Sequence, residues 1–126
     1  MSVADTYRDT GRGALRVLFC IGVRDAFFAA EAQERKAVFT AINEAFADLH
    51  GRFGVRVLGT MDDDELVVGP ADGYPWTAYI LADVPDYELV TRVCDIVRST
   101  EVGTAKLWKY LKIEARIGRP LFFGNE

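Results

Sequence analysis

FGVRVLGTMDDDELVVG, residues 53–69, decides how this chain folds. It holds two apolar runs, Val55 to Gly59 and Leu66 to Gly69, separated by Asp62, Asp63, Asp64 and Glu65. Read as two strands, it reverses the direction of every later element; read as one long strand, bent or bulged at the acidic group, it does not. Upstream, ALRVLFCIGV (14–23) is rich in β-branched and aromatic residues and too short and unbroken for an amphipathic helix, so it reads as a central strand. Between 31 and 50, Val38, Ile42, Ala45, Phe46 and Leu49 fall on one helical face, and Gly51 stands where a helix would end. Downstream, the turn signal GPADGYP precedes a strand from Trp76 to Asp83. Asp86 is placed to cap a second helix carrying Leu89, Val93, Ile96 and Val97 on one face. Finally, Trp108 to Ile117 alternates with period two, Leu111, Ile113, Ala115 and Ile117 on one side and Tyr110, Lys112, Glu114 and Arg116 on the other.

Strand, helix, strand pair, helix, strand is the order of an α+β, ferredoxin-like β-α-β-β-α-β domain, an antiparallel sheet with two helices on one face. That order requires a single strand over 55–69; an extra edge hairpin is the alternative. Residues 1–13, with Gly11 and Gly13 as a hinge, read as a flexible N-terminal arm, and 14–126 as a single domain. Strand parity puts Leu15, Val17, Phe19, Ile21, Val55, Val57, Ala78, Ile80, Leu111, Ile113 and Ala115 on the helix-bearing face. The opposite face collects Arg16, Leu18, Cys20, Arg56, Leu58, Thr60, Thr77, Tyr79, Leu81, Tyr110, Lys112, Glu114 and Arg116. So much apolar surface calls for a cover, and the same face of a second copy supplies one, giving a homodimer whose two sheets form an α+β barrel.

Fifteen Lys and Arg against nineteen Asp and Glu leave a formal charge of −4, which gives no attraction to nucleic acid or to anionic membranes. Without a basic, apolar leader or a spanning run, the expected location is the cytoplasm. Cys20 and Cys94 lack C-x-x-C spacing and read as reduced thiols. Counting from Asp62, the sixth residue is Val67 and the twelfth Gly73, which fails the EF-hand pattern. Neither G-x-G-x-x-G, G-x-x-x-x-G-K-[ST] nor G-x-S-x-G occurs, so no cofactor and no metal are expected.

Between two such sheets a small-molecule pocket would be lined by aromatic, aliphatic and a few charged groups. Arg16 and Arg116 suit the carboxylate of a small aromatic acid, while Trp76, Tyr79 and Trp108 suit its ring. Trp and Tyr, here also Tyr74 and Tyr110, favour such borders because their polar atoms need partners. For proton transfer the candidates are Glu114 and His50. Each has a plain structural reading too: Glu114 sits between Lys112 and Arg116 as in an ordinary salt bridge, and His50 lies at the expected end of the first helix.

The segments LRVLFCIGVR (15–24), FGVRVLGTMDDDELVVGP (53–70), GYPWTAYILADVPD (73–86) and LWKYLKIEARIGRPLFF (107–123) resemble the small IacB family of bacterial indole-3-acetic acid catabolic clusters. The resemblance covers roughly residues 14 to 123. It implies a cytoplasmic role in processing an oxidised indole-acetate intermediate. The derived fold is also similar to the dimeric α+β barrel superfamily, whose members include cofactor-independent monooxygenases, isomerases and dehydratases. Two functions follow as expectations: an enzyme converting that intermediate without a bound cofactor, or a non-catalytic accessory or carrier serving a partner enzyme of the same pathway.

Overall fold

The computed structural model describes residues 15–70, 73 and 75–124; the expected arm over 1–13 lies outside the described residues. A four-stranded antiparallel sheet is built from β1 (Leu15–Val23), β2 (Arg56–Asp62), β3 (Ala78–Val84) and β6 (Leu111–Gly118), in the order β2-β3-β1-β6. The described helices are α1 (Asp25–Ala29), α2 (Ala32–Ala45), α3 (Leu49–Phe53), α4 (Tyr87–Cys94) and α5 (Ile96–Ser99). A two-stranded ladder of β4 (Glu101–Val102) and β5 (Ala105–Lys106) leads through a 3₁₀ turn, Leu107–Lys109, into β6. No helix among the described residues is long and apolar enough to cross a membrane.

The core lies between one face of the sheet and the helices. Leu15, Val17, Phe19, Ala82 and Val84 from the sheet meet Val38, Ala41, Ala45 and Leu49 of α2 and α3, and Val90, Val93, Ile96 and Val97 of α4 and α5. Asp86 caps α4 as its sequence predicts, its Oδ1 accepting from the Leu89 N–H at 2.9 Å.

The first helix does not run unbroken to Gly51. Asp48 adopts the left-handed region (φ 49°), which Asp tolerates, and its Oδ1 accepts from the Gly51 N–H at 3.0 Å, starting α3 as a new helix. A Cβ at Gly51 would overlap that carboxylate, and the left-handed residue ending α3 is Gly54 (φ 68°).

Residues 53–69 hold one strand, shorter than the sequence suggests. β2 ends at Asp62, and the stretch 63–70 forms no strand. The Asp64 N–H turns back on Asp62 Oδ1 at 3.3 Å, and a run of like-charged, poorly strand-forming residues closes the ladder there. The irregularity falls earlier, between Val57 and Gly59, where the pairing with β3 skips Leu58. This bulge corrects the parity reading: beyond it Gly59 and Met61 pair with Leu81 and Tyr79 on the open face, while Thr60 pairs with Ile80 of the helix-bearing face.

Tyr110 is likewise not on the open face. The 3₁₀ turn resets the alternation before β6, leaving Tyr110 only 2% exposed with its hydroxyl donating to Glu34 Oε2 at 2.7 Å. That bond holds the Tyr110 proton, so its pKa is raised above the usual 10.0. Burial pushes the Cys94 thiol from 9.0 up to about 11. In alkali both groups keep in the fold a proton that the unfolded chain releases, so stability falls as pH rises. The Cys94 contribution is complete below pH 9.0 and is lost as pH climbs through about 11; that of Tyr110 is complete below pH 10.0 and is lost as pH passes its raised folded value. Thermal melts from pH 8 to 11 should show a falling midpoint, with part of the slope removed in Tyr110→Phe; a flat profile contradicts this packing.

Candidate functional site

Register sorts the open face into rungs that cross the sheet about 4.8 Å per strand. The first runs Arg56, Asp83, Arg16 and Gly118; the second Gly59, Leu81, Leu18 and Arg116; the third Met61, Tyr79, Cys20 and Glu114. Lys112 follows, opposite Gly22.

The first rung is an ion-pair rung. Arg16 Nε donates to Asp83 Oδ1 at 2.7 Å, and the Asp83 side chain is completely buried. Arg16 is therefore committed to a carboxylate of the chain itself.

The β2 and β3 members of the next two rungs, with Leu18 of β1, form the floor of a recess of about 640 Å³, lined by Leu18, Gly59, Thr60, Met61, Tyr79 and Leu81, with Asp63, Leu66 and Val67 from the loop after β2. Its wall is almost wholly apolar. Gly59 creates part of the space, since a Cβ there would meet nothing within 4 Å. The polar feature is a phenol–carboxylate pair: Tyr79 Oη lies 3.3 Å from Asp63 Oδ2 and 3.4 Å from the Trp76 carbonyl. Desolvation, then the Asp63 charge and hydrogen bond, raise the Tyr79 pKa above 10.0, so the phenol is a neutral donor at ordinary pH.

Among the residues expected from sequence, Tyr79 lines this recess, and Arg116 stands beside Leu18 on the same rung. Glu114 lies one rung away opposite Cys20 and pairs with Arg116 at 3.3 Å. Trp76 borders Tyr79 through its carbonyl, and its ring faces the Lys112 ammonium at 5.5 Å.

Trp108 and His50 are not brought to this site. Trp108, half exposed in the 3₁₀ turn, faces the Arg98 guanidinium at 5.9 Å and borders a different hollow beside Cys94 and Asp95. His50, exposed on α3, borders a hollow of about 600 Å³ with Phe46, Val57 and Ile80 on the helix side of the β2 edge. The sheet thus separates His50 from Glu114. Tyr74 lies outside the described residues.

Sequence reasoning missed Gly59, Met61, Asp63, Leu66 and Val67 as site residues. Glycine inside a strand pattern was the available signal, since it marks bulges and places where something approaches the backbone closely. Among the described residues no group of three or more His, Cys, Asp and Glu could hold a metal ion. Comparison with protein-family models, curated proteins and solved structures gave no match.

Proposed function

We propose that the open sheet face binds a small aromatic acid, and that the chain serves indole-3-acetic acid catabolism in the cytoplasm as a member of the IacB family. The observation that carries the binding reading is the apolar recess of about 640 Å³ with one phenol–carboxylate pair in its wall. That volume lies within the roughly 300–1,000 Å³ usual for small-ligand sites. A planar ring stacks over Leu18, Leu81 and Met61, a ring N–H donates to Asp63, and the ligand carboxylate reaches Arg116 at the edge. Strand order β2-β3-β1-β6, with helical crossovers after β1 and β3, supports the ferredoxin-like assignment.

The ligand-carrier role is favoured over conversion by one fact of placement: Glu114 and His50 lie on opposite sides of the sheet, which leaves no shared acid–base pair. Titration of the protein with indole-3-acetate and 2-oxindole-3-acetate, followed by mass spectrometry, tests both readings. Binding with unchanged ligand fits a carrier, an altered mass makes the protein an enzyme, and no binding removes the proposal.

A second copy covers the rest of the face. Lys112 and Arg116 mark one edge of the sheet and Asp62 to Glu65 the other, so a two-fold pairing can set each cationic edge against the partner's acidic one. Light scattering should give twice the 14.0 kDa chain mass, and a species of single-chain mass at all concentrations contradicts the homodimer.

A further inference from the structure

The chain leaves β6 at Gly118 and continues as Arg119, Pro120, Leu121, Phe122 and Phe123. Three large apolar side chains of this stretch face water: Phe122 is 90% exposed, and Leu121 and Phe123 are more than half exposed. The Phe122 and Phe123 rings meet edge to face at 4.8 Å, forming one apolar knob. Elsewhere on the molecule Leu66 and Val67, which line the recess with Asp63, are exposed to a similar degree and directly follow the acidic run Asp62, Asp63, Asp64 and Glu65 in the chain.

Within one chain this tail does not cover Leu66 and Val67, as the exposure of both shows. Arg119 and the apolar knob complement the exposed Leu66 and Val67 and the acidic run that precedes them. We propose that the tail of a second copy docks there, Phe122 and Phe123 on Leu66 and Val67 and Arg119 on the acidic run, so that each recess is closed by its partner. The inference rests on the reading of the open face as both ligand site and dimer face. It makes the site a shared one: the ligand lies on the sheet of one copy beneath the tail of the other.

Phe122→Asp and Val67→Lys in the full chain test it, since both residues are surface-exposed and neither belongs to the core. Sedimentation equilibrium reads the dimer dissociation constant, and far-UV circular dichroism checks the fold. Each single variant should raise that constant at least about tenfold, equivalent to about 1.4 kcal/mol, and the double variant should recover part of the loss by pairing Asp with Lys across the interface. An unchanged constant in Phe122→Asp overturns the tail contact while leaving the dimer and the ligand recess standing. A chain that is monomeric at every concentration overturns it together with the homodimer. Ligand titration of the wild-type chain reports on the recess itself: absence of binding by an intact wild-type dimer strikes the functional reading and not the tail contact.

Discussion

Replacing Arg16 with alanine is expected to lower the unfolding free energy by about 3–5 kcal/mol, the usual cost of leaving one partner of a buried ion pair behind. Arg16 Nε lies 2.7 Å from Asp83 Oδ1, and the Asp83 side chain has no exposure at all. Without the guanidinium, a carboxylate in mid-sheet keeps its desolvation cost and loses a charge that helps compensate it. Urea unfolding of wild type and Arg16→Ala, at equal m-values, measures the difference. A loss below about 1 kcal/mol would place the pair among surface bridges and contradict the packing described. Replacing both partners at once, Arg16→Met with Asp83→Leu, should recover most of the stability, because the penalty belongs to the buried charge and not to the lost contact. The same geometry separates stability from binding: with its guanidinium held by Asp83, Arg16 is a structural residue.

Gly59→Leu carries the second large expected effect, on the proposed ligand site instead of the fold. Gly59 has ordinary strand conformation, and a Cβ there meets nothing within 4 Å, so leucine enters the recess without backbone strain. Filling the floor between Met61 and Leu81 should weaken binding of an indole acid at least about thirtyfold, or about 2 kcal/mol. Glycine inside a strand costs backbone entropy, so the thermal midpoint should hold or rise. Calorimetric titration paired with a melting curve reads both. Unchanged affinity with a folded variant would show that the ligand lies elsewhere on the molecule.

How far the sequence led can be followed residue by residue. Alternation in β1 and β6 identified two strands and their faces, because period two survives wherever a strand is regular. It failed at two irregularities. Leu58 is skipped in the β2–β3 pairing, which exchanges the faces of Gly59, Thr60 and Met61, and no pattern announces a bulge by itself. Before β6 a 3₁₀ turn carries Trp108 away from the open face and buries Tyr110, its hydroxyl bound by Glu34 from a helix 76 positions away in sequence. That partner is a tertiary fact that local pattern does not encode. The acidic group of 62–65 marked the right neighbourhood and the wrong event: it ends the strand instead of bending it.

For the site, parity was enough to place Leu18, Tyr79, Leu81 and Arg116 together, since all four lie on strands whose register is unbroken at those positions. Loop residues escaped it. Asp63, Leu66 and Val67 reach the recess because the chain turns back after Asp62, a consequence of local side-chain bonding and not of periodicity. Arg16 was expected to hold a ligand carboxylate, and in the structure its Nε donates to Asp83 Oδ1.

The most direct measurement is calorimetric titration of the wild-type protein with indole-3-acetate and 2-oxindole-3-acetate, beside Gly59→Leu. Saturable binding of one ligand per chain, lost when the recess is filled, is the expected result. Absence of binding to either acid, or equal binding by Gly59→Leu, would contradict it.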